Sequence, residues 1–154
     1  MKLIPLTQGK FAKVDDEDFE WLNQYNWYAV KSNRTFYART KIKQKNKEMH
    51  RMILQLTNPE IKADHENGDG LDNQRHNLRT ATYSQNNANR KKRKGISSSK
   101  YLGVHKNGKR FVALCKKNNI KYTSSYKTEN EAALAYNELA KKHHGEFARL
   151  NIIQ

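Results

Sequence analysis

Residues 89–100 read NRKKRKGISSSK, five consecutive cations followed by a glycine and three serines. No amphipathic helix or strand runs through such a stretch, because like charges repel and glycine and serine leave the backbone free. The chain must therefore close one core before it and another after it. With 154 residues, 36% of them hydrophobic, and a mean hydropathy of -1.07, neither core can be large. Two Trp, eight Tyr and five Phe nevertheless argue for folded units rather than disorder.

The charge narrows the partner. Lys and Arg number 30 against 15 Asp and Glu, a formal charge of +15. From Asn89 to Thr128 there are 13 Lys and Arg and no acid, a one-signed density that solubility alone does not require. A polyanion is the expected partner, and nucleic acid is the commonest. A membrane surface would call for a basic amphipathic helix or a long apolar run, and neither is present. The start, MKLIPLTQGK, lacks the apolar run of a signal peptide, so a cytoplasmic location is expected. Cys115 stands alone, which excludes an intramolecular disulfide and a Cys-rich zinc site. It reads as a small buried packing residue.

The pattern predicts an α+β chain. Residues 1–49 form a small support segment, with strands in KLIPL and KFAKV and a helix in DDEDFEWLNQY whose acids suit its first turn. A hairpin follows, turning at Ser32-Asn33, then a short helix in EMHRMILQL. The aromatics of that hairpin read as core. Residues 50–90 form a second segment, 91–99 a linker, and 100–154 a C-terminal domain. In the last, YLGVHK, KRFVALCKK and IKYTSSY are strands joined at Asn107-Gly108 and Asn118-Asn119. Thr128 and Glu131 mark a capping box, and Ala132, Ala135, Tyr136 and Leu139 give the following helix an apolar face. A three-stranded antiparallel sheet packed on one helix results.

Against this basic background, four acids (Asp64, Glu66, Asp69 and Asp72) fall within nine residues of ADHENGDGLDNQRHNLRTATYSQNNANR. Cutting a phosphodiester needs a base for water, charge neutralisation at phosphorus and help for the leaving oxygen. Asp64-His65 sets a hard oxygen ligand beside an imidazole. Asn77 and Asn86 follow 12 and 21 residues after the histidine, and such oxygen donors suit magnesium or manganese rather than zinc. Glu66, Asp69 and Asp72 read as turn-forming residues. The glycine and acid spacing does not fit an EF-hand loop. Arg75, Arg79 and Arg90 are candidates to hold the phosphate. His76 reads as exposed, and His50 as a packing or phosphate-contact residue.

This stretch resembles the HNH nucleases, in the branch of phage and intron-encoded homing endonucleases. The resemblance implies a ββα-metal unit with His65 as general base, Asp64 and Asn86 as metal ligands, and Asn77 as the residue that orients the histidine. Asn86 stands where many relatives carry histidine, an H-N-N variant. The cofactor implied is a divalent cation, magnesium first and manganese second, with no small-molecule cofactor. The partner implied is double-stranded DNA, which a monomer or weak dimer would nick or cleave.

Residues 98–151, from SKYLGVHKNGKRFVALCKK to EAALAYNELAKKHHGEFARLN, resemble the Apetala-type (ethylene-response-factor-like) DNA-binding domain. The likeness implies that the sheet lies in the major groove and the helix braces its far side. Strand alternation turns Phe111, Ala113 and Cys115 inward and Arg110, Val112, Leu114 and Lys116 outward. Val112, Leu114 and Thr123-Ser124 depart from the family pattern, so contact is assigned to His105, Asn107, Arg110, Lys116 and Tyr122. Arg90, Lys91, Lys92, Arg93 and Lys94 of the linker would hold phosphates. Three alternatives share the composition: a DNA-binding regulator with a relic nuclease unit, an RNA-binding protein, and a restriction-type defence nuclease.

Overall fold

Alternation fixes the first hairpin. In strand β1 (Lys2–Pro5), Ile4 points inward; in β2 (Phe11–Val14), Ala12 and Val14 do. The strands pair antiparallel from Lys2↔Val14 to Pro5↔Phe11, around a turn in which Gln8 and Gly9 both have φ of 62°. Helix α1 (Asp16–Leu22) carries three acids in its first turn and buries Leu22. A three-stranded antiparallel sheet follows, β3 (Tyr28–Ser32), β4 (Thr35–Ile42) and β5 (Lys45–Glu48), in that order. Helix α2 (Met49–Ile53) turns Met49 and Ile53 into the core. Strands β6 (Lys62–His65) and β7 (Leu78–Ala81) then form an antiparallel pair, and α3 (Tyr83–Ala88) comes next.

The structure, a computed structural model, describes residues 1–32, 35–92, 95 and 97–153. Asn33 of the expected Ser32-Asn33 turn, and Arg93 and Lys94 of the linker, lie outside them. The chain forms two compact units, Met1–Tyr83 and Ser84–Gln154. In the first, Ile4, Val14, Leu22, Trp27, Met49, Ile53 and Leu78 belong to one apolar cluster. Residues 1–49 therefore share a core with the β6–β7 pair rather than forming a separate support. Trp27 satisfies its indole by donating to the Leu22 carbonyl at 2.8 Å.

The second unit orders its strands β10-β9-β8, with β8 (Val104–Asn107), β9 (Arg110–Lys117) and β10 (Ile120–Tyr126) all antiparallel. The first turn centres on Gly108-Lys109, one residue later than expected, with Gly108 at φ 58°. Asn118 and Asn119, at φ 49° and 65°, form the second, the left-handed pair that a two-residue hairpin needs. Helix α4 (Glu129–His144) starts with the expected capping box: Thr128 accepts from the Glu131 amide and Glu131 accepts from the Thr128 amide. Ala113, Ala132, Ala133 and Ala140 are fully buried between helix and sheet, so the two layers approach closely. The tail is latched by Asn151, whose side chain accepts from Leu102 N at 2.7 Å and donates to Leu102 O at 3.0 Å. The fold is α+β throughout, with its C-terminal sheet on one helix as expected. No helix among the described residues is long and apolar enough to cross a membrane.

Candidate active site

β6 ends in Asp64-His65, and β7 returns alongside with Asp64 opposite Arg79 and His65 opposite Leu78. The loop between them is built by its own polar side chains. Asn67 accepts from the Asp69 amide at 2.8 Å, Asp69 accepts from the Leu71 amide at 3.1 Å, and Asn67 donates to Asp72 at 2.8 Å. Asp69 and Asp72 thus shape the loop, as their residue types predict. Asn77 ties its two ends together, accepting from the Asn67 amide at 3.0 Å and donating to the Asp72 carbonyl at 2.7 Å.

The loop is also fastened from outside. Lys13 of β2 donates its amide to Leu71 O and accepts from Asn73 N, both at 2.8 Å. Thr35 accepts from the Gly70 amide at 2.8 Å. A side chain at position 70 would collide with the Phe36 carbonyl and the Tyr37 ring, so only glycine lets the loop lie against β4.

His65 is 6% exposed. Its Nε2 lies 3.3 Å from Asn73 Oδ1; with that oxygen accepting, Nε2 carries the proton and Nδ1 the lone pair. Burial, then the charge of His50, pushes the imidazole down to about 4, against the Asn73 bond and the charges of Asp64 and Asp69. At neutral pH the ring is unprotonated. Tyr37 and His50 flank it, with ring centroids 5.7 and 5.0 Å away. Asp64 is 4% exposed and accepts from Arg79 Nε at 2.9 Å, while Arg79 Nη1 reaches Glu66 at 3.6 Å. Asn73, His50 and Tyr37 were not assigned to the site from sequence. Tyr37 and His50 lie 28 and 15 residues before His65, and no local pattern joins them.

Glu48 sits between Arg39, at 2.9 Å, and His50, at 3.4 Å. The His50 bond chiefly, with Arg39 and against the carboxyl's own burial, holds Glu48 down at about 2. A carboxyl lowered in the folded state adds stability above its unfolded value near 4.5 and loses it as pH falls toward 2. Glu48→Gln is therefore expected to lower the thermal midpoint at pH 7, with the gap to the unaltered protein closing between those two values. Melting curves down that pH series check it; a gap of constant size would disprove the linkage.

Among the described residues no three His, Cys, Asp or Glu side chains form a metal cage. The donor chemistry still fits a hard cation. Asp64 presents a buried carboxylate, the hard oxygen donor such a cation takes. Asn86 lies on α3, in the second unit.

No protein-family model and no solved structure matches the chain. An uncharacterised HNH endonuclease of Acanthamoeba polyphaga mimivirus is 32% identical to it, over 98% of this chain and 80% of that protein. The chain belongs to the HNH endonuclease family. Asp64-His65 at the end of one strand, with Asn77 closing the loop to the next, thus lies in an HNH nuclease.

In this HNH endonuclease the second unit holds the remaining candidate contacts. His105, Asn107, Arg110 and Lys116 are exposed, and Arg110 is held by Ser125, donating to its hydroxyl and its carbonyl, each at 2.9 Å. Arg90 and Lys91 are exposed, and Lys92 donates to Ser97 at 2.8 Å. Tyr122 is a correction. It pairs with Cys115, packs against the helix-side core and stacks on His143 of α4 with centroids 3.6 Å apart, so it does not share the outer face of the sheet. Cys115 is buried 3.3 Å from His144 Nε2, and burial pushes its thiol up, which suits a packing residue. A cavity of about 370 Å³ in this unit is lined by Lys91, Lys92, Lys100 and Arg149 together with Tyr101, Leu102 and Ile152.

Proposed function

We propose that the chain is a metal-dependent endonuclease of double-stranded DNA, of the homing type, with His65 as general base. The observation that carries this reading is a buried imidazole, unprotonated at neutral pH, beside a buried carboxylate at the end of β6. His65 takes the proton of the attacking water on Nδ1 while Asn73 holds Nε2. Asn77 acts at one remove, by closing the loop that carries Asn73. Asp64 is the ligand the first unit offers to magnesium or manganese, and Asn86 is the second that the family likeness implies. When bound, the cation supplies charge neutralisation at phosphorus and at the leaving oxygen.

The second unit is read as an Apetala-type DNA-binding domain; its three-stranded sheet on one helix supports this. A net charge of +15 makes much of the affinity electrostatic. Duplex binding is expected to fall with salt along a log–log slope steeper than about −4, since each neutralised phosphate contributes about −0.9. Titration by fluorescence anisotropy measures it, and a flat response would refute the electrostatic account.

One site cuts one strand, so a monomer nicks. The direct test is supercoiled plasmid carrying a randomised insert, incubated with magnesium, with manganese and with chelator. Open circle formed only with free metal supports the reading. Cleavage undiminished by chelator removes the metal, and intact plasmid throughout, with duplex binding retained, favours a regulator.

A further inference from the structure

His65 turns about a soft torsion, because rotation of an imidazole about its Cβ–Cγ bond has broad minima. Asn73 contacts one ring nitrogen at 3.3 Å, and two further rings bound the plane. His50 meets it edge-on, with centroids 5.0 Å apart and planes at 69°. Tyr37 packs against both histidines, 5.7 Å from His65 and 5.5 Å from His50.

His50 is unusual among these neighbours. Its side chain is 7% exposed and its Nε2 lies 3.4 Å from Glu48 Oε2. The other Glu48 oxygen accepts from Arg39 Nη2 at 2.9 Å. Yet His50 Nδ1 is buried with no hydrogen-bond partner. A buried polar atom without a partner weakens a fold, and an apolar ring of the same size would avoid that. What the imidazole adds over such a ring is a polar contact to Glu48 at 3.4 Å, which a phenyl ring lacks.

We propose that His50 is a positioning residue of the nuclease site, holding the ring plane of His65 through an edge contact that Arg39 and Glu48 keep in place. The inference rests on the reading of His65 as general base. Arg39, Glu48 and His50 form a chain of three groups ending on the catalytic ring, in the way a buried carboxylate orients a catalytic histidine. Their value is geometric. A base displaced by about 1 Å loses on the order of 10²-fold in rate, even when the displaced contact is remote from the chemistry.

Two variants test it, His50→Phe and Glu48→Gln. His50→Phe keeps an aromatic ring and removes the bond to Glu48; Glu48→Gln keeps the shape and removes the charge. Each is examined in the full chain for single-turnover nicking, duplex affinity, and the imidazole nitrogen signals of His65 in protein labelled with ¹⁵N-histidine. His50→Phe is expected to nick on the order of 10²-fold more slowly with affinity within twofold, and the His65 signals are expected to change from one tautomer to a mixture. Glu48→Gln should move the same readouts in the same direction by a smaller amount. Unchanged rates and signals in a folded Glu48→Gln protein would overturn the proposal. So would slower nicking with unaltered His65 signals, which would assign His50 to packing. If His65→Ala nicks as fast as the unaltered protein, the general-base reading fails first; the His65 signals, which need no cleavage, then show whether the ring contact exists.

Discussion

Replacing His65 with alanine is expected to slow nicking of supercoiled plasmid by about 10²- to 10⁴-fold, the usual contribution of a positioned general base. Duplex affinity should stay within a few-fold, because the residue is buried and the surface cations are untouched. The split is the informative part. A loss confined to the chemical step places His65 in the transition state; a loss of binding alone would place it in DNA recognition. Single-turnover kinetics beside anisotropy measurements on the same preparation separate the two. His65→Gln is the control for burial, since it fills part of the same space with a group that cannot act as a base at neutral pH.

Gly103→Ala is expected to unfold the second unit. Gly103 has φ 68°, and a Cβ there would run into the Tyr136 ring of α4 and the Leu114 carbonyl of β9. The left-handed backbone costs about 1 kcal/mol for alanine. Forcing helix from sheet in an alanine-lined interface adds roughly 1–3 kcal/mol. A unit of this size has little stability to spare. Amide exchange should accelerate over residues 100–153 while the first unit stays protected, and duplex affinity should drop by at least about tenfold if the sheet is the main DNA reader. Normal protection in the variant would show that helix and sheet separate at little cost.

What could be read from the sequence was mostly local. The capping box at Thr128, the left-handed Asn118-Asn119 turn and the alternation of β9 each lie within a few residues, and each is present. β5 escaped notice because Lys45–Glu48 is wholly polar and its turn places Lys43 and Gln44 at φ 46° and 64° without glycine or asparagine. Tertiary pairing with β4 overrides propensity there. Tyr122 is different. A two-residue turn pairs Lys117 with Ile120 and therefore Cys115 with Tyr122, so its inward side followed from the register that the turn itself implies. The Asp64-His65 pair stood out because acids are scarce in this chain. Its surroundings did not, since Lys13, Tyr37 and His50 arrive from three separate elements.

Lys13 gives the last point. The loop holding Asn73 is closed by a strand made some 60 residues earlier, through two backbone bonds to Lys13. The candidate site is thus a long-range contact, and contacts that close large loops form late in folding. On the ribosome, residues 1–14 must wait for the loop to emerge before either is complete. With His65 as the base, proteolytic loss of that first hairpin is expected to abolish cleavage while leaving residues 84–154 able to fold, so the two ends of the chain fail separately.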